Sequence, residues 1–210
     1  MKIIDIQLDI HERFKNYCDG FKYKKSDFEY TKKLNGISHI FRIQLHSKTG
    51  WVKVAPSVFL GSYDVNKLFN NALSRNLPLT GITCGFGINN KYGDRGNYSI
   101  DSDKDIPSVV ESLIIDFNEI AVPLFNKIQV LKDIDEFINK KSEEGIYRPE
   151  SVSNACLGIA TAKLCDNPDY NKICEDYYEF CKQSQSSELA EPILRIRKYL
   201  AETTALVEPV

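Results

Sequence analysis

Phe28-Glu29-Tyr30-Thr31-Lys32-Lys33-Leu34-Asn35-Gly36-Ile37-Ser38-His39-Ile40-Phe41-Arg42-Ile43-Gln44-Leu45-His46 is the stretch on which the fold of this chain turns. Its first seven residues alternate, with Phe28, Tyr30, Lys32 and Leu34 on one side and Glu29, Thr31 and Lys33 on the other. Asn35-Gly36 interrupts the run, the dipeptide preferred in two-residue type I′ hairpins because both positions need positive φ. Ile37–His46 is a second strand, and Trp51–Leu60, beyond Ser47-Lys48-Thr49-Gly50, is a third. The segment is therefore a three-stranded meander.

The turns set a register that side-chain chemistry can check. Pairing Leu34 with Ile37 puts Tyr30 opposite Phe41 and Phe28 opposite Ile43. Pairing His46 with Trp51 puts Leu45 opposite Val52, Ile43 opposite Val54 and Phe41 opposite Pro56. Every pair is apolar, which makes this the buried face. The other face carries Glu29 opposite Arg42, Gln44 opposite Lys53 and His46 beside Trp51, and an opposite-charge cross-strand pair is worth about 0.2–1 kcal/mol. A one-residue slip would bury Arg42 and expose Phe41, so the register is strongly specified.

Upstream, Ile3, Ile6, Ile10, Phe14 and Tyr17 form one stripe of a helix over residues 3–18, which Asp19-Gly20 ends. Downstream, a helix over Tyr63–Arg75 buries Val65, Leu68, Phe69 and Ala72. Leu77-Pro78-Leu79 then leads to a fourth strand, Gly81–Asn89, whose Gly85 and Gly87 leave a groove or a close backbone approach on one face. Asn90–Gly96 is expected as a loop and Asn97–Ile100 as a closing hairpin strand.

From Asp105 the period becomes helical. Val110, Leu113, Ile114, Phe117, Ile120, Ala121 and Leu124 mark a long helix bent at Pro123. Asp133-Ile134-Asp135-Glu136 opens another that Gly145 ends, and Ser151–Cys165 is a third. Asn167-Pro168 starts a fourth, reaching about Gln183. Ser187 caps the last, with Leu189, Ile193, Ile196 and Leu200 along one face. The expected architecture is α+β: an antiparallel meander sheet in residues 1–100 with an α-helical C-terminal half packed on it. Residues 1–145 form the sheet domain and 146–210 a helical extension sharing its core.

Composition narrows the classes. The 210 residues are 42% hydrophobic and 27% charged, in the ordinary globular range. No apolar run approaches the ~20 residues needed to cross a bilayer, and acids at Asp5 and Asp9 break any secretory h-region, so a cytoplasmic location and no membrane are expected. The cysteines, Cys18, Cys84, Cys156, Cys165, Cys174 and Cys181, contain no CxxC pair and suit small apolar positions on packed helices. Residues 1–100 carry 15 Lys+Arg against 8 Asp+Glu, or +7, and residues 101–210 carry 12 against 21, or −9. A basic sheet facing an acidic body or an acidic partner would account for that split.

Chemistry-bearing residues are few. His39 and His46 lie on opposite faces of one strand and cannot share a metal. His39, opposite Lys32, is expected at a half-exposed rim. Asp101–Asp105 resembles the start of a calcium loop but lacks its glycine and its closing glutamate, so helix capping explains it better. The glycine-rich Asn89–Gly96 segment has neither a Walker pattern nor a dinucleotide fingerprint, and its functional version is a loop presenting Tyr92 and Arg95. No catalytic residue, metal or cofactor is implied. The candidate binding residues are Arg42, Gln44, His46, Trp51 and Lys53 on the outer sheet face, with Tyr92 and Arg95.

Gly20-Phe21-Lys22-Tyr23-Lys24-Lys25, Phe28, Ile43-Gln44-Leu45 and Val58-Phe59-Leu60-Gly61 follow the opening helix in an order that resembles a bacterial family. The family consists of small uncharacterised α+β proteins, a domain of unknown function, with relatives near toxin and immunity systems. The resemblance covers about residues 8–140. It implies a fold and supplies no catalytic residues.

The expected function is a non-enzymatic protein-binding role, of the immunity or toxin-neutralising kind in bacterial competition or defence. Its partner is a protein, an acidic one suiting the face, while nucleic acid is disfavoured by the acidic balance and by the lack of a binding signature. One alternative is a small hydrolase-like enzyme, with His46, Arg42 and the Asp94-Arg95 loop converging beside Gly85 and Gly87. The other is a helical adaptor or scaffold, with an exposed stripe along Leu189–Leu200.

Overall fold

The computed structural model describes residues 2–75, 81–184 and 190–205, and its fold is α+β. The chain divides into two compact units, drawn otherwise than at residue 145. One comprises residues 1–60 and 85–129, the other residues 61–84 and 130–210.

In the first unit Asn35 and Gly36 take φ of 48° and 80°, the conformation the hairpin turn demands. Strands β2 (Glu29–Leu34) and β3 (Ile37–Lys48) pair with Leu34 opposite Ile37, Tyr30 opposite Phe41 and Glu29 opposite Arg42, as the alternation requires. β4 (Trp51–Ser62) follows across Thr49-Gly50, a tighter connection than the four residues expected. β1 (Lys22–Lys24) lies outside β2. The six-stranded antiparallel sheet has the order β1-β2-β3-β4-β5, with β5 at Cys84–Gly87 and β6 at Tyr98–Ile100. β6 runs beside the start of β4, with Val52 opposite Ile100 and Val54 opposite Tyr98.

Phe28, Tyr30, Phe41, Ile43, Val52 and Val54 are buried, as the register predicts. Above them sits α1 (Ile3–Phe14), which buries Ile6, Ile10 and Phe14 and leaves Ile3 exposed. A 3₁₀ turn over Lys15–Tyr17 follows it, with Tyr17 facing solvent. The Phe14 ring stacks on Phe41 at 5.6 Å and meets Phe117 edge-on at 5.7 Å.

Three local expectations change. The alternation over residues 81–89 yields only β5, because Ile88 opens a short helix, α3 (Ile88–Tyr92), from which it is still fully buried. Glycine and asparagine there are weak strand formers. Of the two readings of Gly85, the close backbone approach is the one observed: a Cβ on it would lie 2.3 Å from the Val58 carbonyl oxygen, and its φ is +150°. The long helix is α4 (Ile106–Asp116), a π-helical segment (Phe117–Ala121) and α5 (Val122–Lys127). The Val122 N–H donates to the Phe117 carbonyl five residues back, just before Pro123, which has no N–H to continue an α ladder. Ahead of α4, the Asp105 carboxylate accepts the N–H groups of Asp101 (3.0 Å) and Ser102 (2.8 Å), which is capping chemistry.

The second unit is helical: α2 (Tyr63–Leu73), α6 (Leu131–Ile138), α7 (Val152–Leu164), α8 (Tyr170–Ser184) and α9 (Glu191–Ala205). Val65, Phe69, Ala155, Ile159, Ile173, Ile193 and Ile196 share its core. Packing of α2 against α7 and α9 is why residues 61–84 belong here and not with the sheet. Ser62 caps α2 and Ser151 caps α7, the latter Oγ accepting from the Asn154 N–H at 3.1 Å. Asn167 accepts from the Asp169 N–H at 2.8 Å before α8. α6 begins at Leu131, because the Asp133 carboxylate accepts the Val130 N–H at 3.0 Å and so sits three residues inside the helix. It ends near Asn139, and Gly145 instead closes a small turn in which Gly145 N–H meets the Ser142 carbonyl. Leu77-Pro78-Leu79, Ser187 and Leu189 lie outside the described residues.

A polar network ties this unit together. Asp135 accepts from the amides of Asn139 and Asn167, both at 2.6 Å. Asn139 also donates to the Gly158 carbonyl and accepts from the Tyr177 hydroxyl at 2.7 Å. Buried polar groups are tolerated when satisfied in this way.

Partition by contacts also redraws the charge. The first unit has 15 Lys+Arg and 13 Asp+Glu, or +2, and the second 12 and 16, or −4. Asp101–Glu119, acidic in sequence, folds with the basic sheet.

Candidate functional site

Alternation sends Arg42, Gln44 and His46 of β3, and Trp51 and Lys53 of β4, to the face opposite the buried Ile43, Val52 and Val54. The structure divides them. Arg42 is held by Glu29, its Nη2 at 2.7 Å and its Nε at 3.2 Å from one carboxylate oxygen, and its guanidinium lies over the Phe59 ring at 5.4 Å. Glu29 is buried, so this charge is neutralised within the sheet. Gln44 and His46 are exposed, Trp51 is 37% exposed and Lys53 is half-buried. Among the described residues neither Lys53 nor the exposed Lys48 takes part in an ion pair.

Tyr92 and Arg95 belong to another construction. Tyr92 ends α3 and is exposed, its ring 6.1 Å from Phe86, over which Lys91 Nζ sits at 4.4 Å. Arg95 Nε donates to Asp116 at 3.1 Å and Nη1 to Glu119 at 3.0 Å, and the Tyr98 hydroxyl donates to the second Asp116 oxygen at 2.6 Å. Asp116 is fully buried. Burial, with this bond to Asp116, pushes the Tyr98 hydroxyl up to about 12. Arg95 is thus a tether between the loop before β6 and the end of α4. With Arg42 bound to Glu29 and Arg95 to Asp116, the two guanidinium groups are each engaged locally.

His39 corrects the sequence-based rim assignment. It is 2% exposed, its ring stacks on Phe125 at 4.7 Å, and its Nε2–H donates to the Ile128 carbonyl at 2.6 Å. Burial lowers its pKa, so the neutral ring is favoured.

The third histidine, His11, carries no pattern that sequence inspection would single out. Its ring stacks on Tyr23 at 3.7 Å, and Nδ1 lies 2.9 Å from the Tyr30 hydroxyl. Gln7 donates to the Tyr23 hydroxyl at 3.0 Å and to the Lys25 carbonyl at 2.7 Å. Burial lowers the His11 pKa and pushes the Tyr30 phenol above its usual range. A neutral imidazole against a neutral, 1%-exposed phenol has the geometry of a proton relay but offers a substrate no access to Tyr30. Its role is to fasten α1 to β1 and β2.

The cysteines are unpaired, and all but the half-buried Cys165 are buried. Burial pushes the Cys84 and Cys156 thiols up to about 12 and that of Cys165 up to about 11, far from the thiolate a nucleophile needs. Ile193, Ile196 and Leu200 of the proposed adaptor stripe lie in the helical core. Among the described residues no group of three or more His, Cys, Asp or Glu could hold a metal, and no helix is long and apolar enough to cross a membrane.

What stays available is the far end of the β3–β4 hairpin: Gln44, His46, Lys48, Trp51 and Lys53. Comparison with known protein families, with curated proteins and with solved structures finds no match to this chain.

Proposed function

We propose that this chain is a non-enzymatic binding protein of the immunity or toxin-neutralising kind, engaging an acidic protein surface through the far end of its β3–β4 hairpin. One observation carries the binding part: Lys48 and Lys53 have no acidic partner among the described residues and stand beside a half-exposed Trp51, whereas Arg42 and Arg95 are bound to carboxylates. A rigid aromatic flanked by unpaired cations suits a protein interface, where such side chains act as anchors. The acidity of the partner now rests on these local charges, since the charge split between sequence halves largely disappears between the two units. The immunity assignment rests on the family resemblance of residues 8–140 alone.

Trp51 is the sole tryptophan of the chain and so a built-in reporter. A partner captured from the native host should shift its emission on titration. Lys53→Glu should weaken that binding at least about tenfold, through a slower encounter and a lost attraction, and added salt should weaken the wild type in the same direction. Turnover of a nucleotide, ester or peptide by the purified chain, abolished by changing one polar residue, would sink the proposal.

A further inference from the structure

β3 outruns its neighbour. β2 has six residues and β3 twelve, and the paired register ends at Glu29 opposite Arg42. The last bond on that side is from the Ile43 N–H to the Phe28 carbonyl at 3.0 Å. There Phe28 takes φ +46°, a conformation costly for a residue with a Cβ, and the chain leaves β3 for the turn that leads back to β1.

In an antiparallel ladder successive residues direct their N–H and C=O to opposite sides. Ile43 faces β2, so Leu45 and Ser47 face the same way. Among the described residues no strand stands opposite them. Gln44, His46, Ser47 and Lys48 are all exposed. This is a short open edge, with neither proline nor bulge to blunt it, lying beside the unpaired cations.

Building on the protein-binding proposal, the geometry points to a specific mode: an extended acidic segment of the partner adds to β3 as a further strand. It hydrogen-bonds to the backbone of Leu45 and Ser47 and sets its carboxylates against Lys48 and Lys53. Backbone pairing supplies affinity and the flanking cations supply choice, as in strand-addition complexes generally. The same charges argue against a second copy as occupant. Two such edges would each bring Lys48 to the shared interface, where like charges repel. The outer edge of β1 is a weaker candidate, only three residues long with a lysine at each end.

The test uses the intact chain and a pool of ten-residue synthetic peptides in which Val, Ile or Thr alternates with Asp or Glu. Binding is followed by Trp51 emission and by amide hydrogen exchange. The expected result is saturable binding that slows exchange at Leu45 and Ser47 at least about tenfold, an effect a peptide lying on side chains alone would not produce. Ser47→Pro removes an edge donor while leaving Trp51 and Lys53 in place, and should weaken binding about tenfold, the scale of one or two lost backbone hydrogen bonds. N-methylating alternate peptide residues should do the same without touching the protein, which guards against a folding defect in the variant.

Binding that is insensitive to both changes but lost in Lys53→Glu overturns strand addition and leaves the binding face standing. No saturable binding, or binding insensitive to all three, overturns strand addition and the hairpin-end site together. A concentration-dependent dimer broken by Ser47→Pro overturns the acidic occupant in favour of a second copy.

Discussion

The two ends of β3 obey one alternation and meet opposite fates. From Ile37 to Phe41 no residue is more than 9% exposed, and both faces of the strand are covered. From Gln44 to Lys48 only Leu45 keeps partial cover. On the near end's one face Phe14 and Phe117 surround Phe41 while Phe125 and the Ile128 carbonyl meet His39, and on its other face Ser38 and Ile40 are buried too. Nothing comparable lies over the far end among the described residues. A period of two says which residues share a face, and it is silent on how many faces other parts of the chain will cover.

The contrast can be broken most forcefully at its packed end. Phe41→Ala should cost about 3–5 kcal/mol in chemical denaturation, because the cavity between Phe14 and Phe117 cannot collapse around it. Leu45→Ala should cost no more than about 1 kcal/mol. Near-equal losses would show that the far end is as firmly packed as the near end.

The charged pairs give a smaller effect. Glu29→Gln should destabilise by about 1–2 kcal/mol, since Arg42 then keeps a partly buried charge with a weaker acceptor. Lys53→Glu should stay within about 0.5 kcal/mol of wild type, because the half-buried Lys53 takes part in no ion pair among the described residues. Their ratio is the measurement that matters.

The subtlest difference is in acid. Burial holds the folded-state pKa of His39 below its ordinary 6.5, so the unfolded chain binds a proton that the folded chain refuses. The resulting stability is complete above pH 6.5 and falls as the pH drops from there toward the folded-state value. His11, shifted in the same direction, adds to the slope. His39→Phe should flatten the stability profile between pH 7 and 5 measured by denaturant midpoint.

Much of the fold was legible before any coordinates. Asn35-Gly36 requires one hairpin geometry, and with it the pairing of Tyr30 with Phe41 and of Glu29 with Arg42 follows residue by residue. Ser151 and Asn167 announce helix starts because a short polar side chain can reach a backbone N–H two or three residues on. The misreadings share a cause. Residues 81–89 alternate correctly, yet a buried Ile88 satisfies that pattern from a helix as well as from a strand. Gly145 follows a helical run but serves a later turn. In the candidate site, the exposure of Gln44, His46 and Trp51 could be anticipated from their face. The engagement of Arg95 by Asp116 and Glu119, 21 and 24 residues away, could not.

Residues close in the chain thus dictated the Asn35-Gly36 turn, the β2–β3 register, the faces and most helix caps, because those depend on φ preferences and on bonds spanning two to five positions. Contacts between distant segments settled which faces are covered, which cations are neutralised, and that His39, on the face of Phe41, is interior and not at a rim. His39 meets a carbonyl 89 residues further on, and a partner that remote leaves no mark on local periodicity.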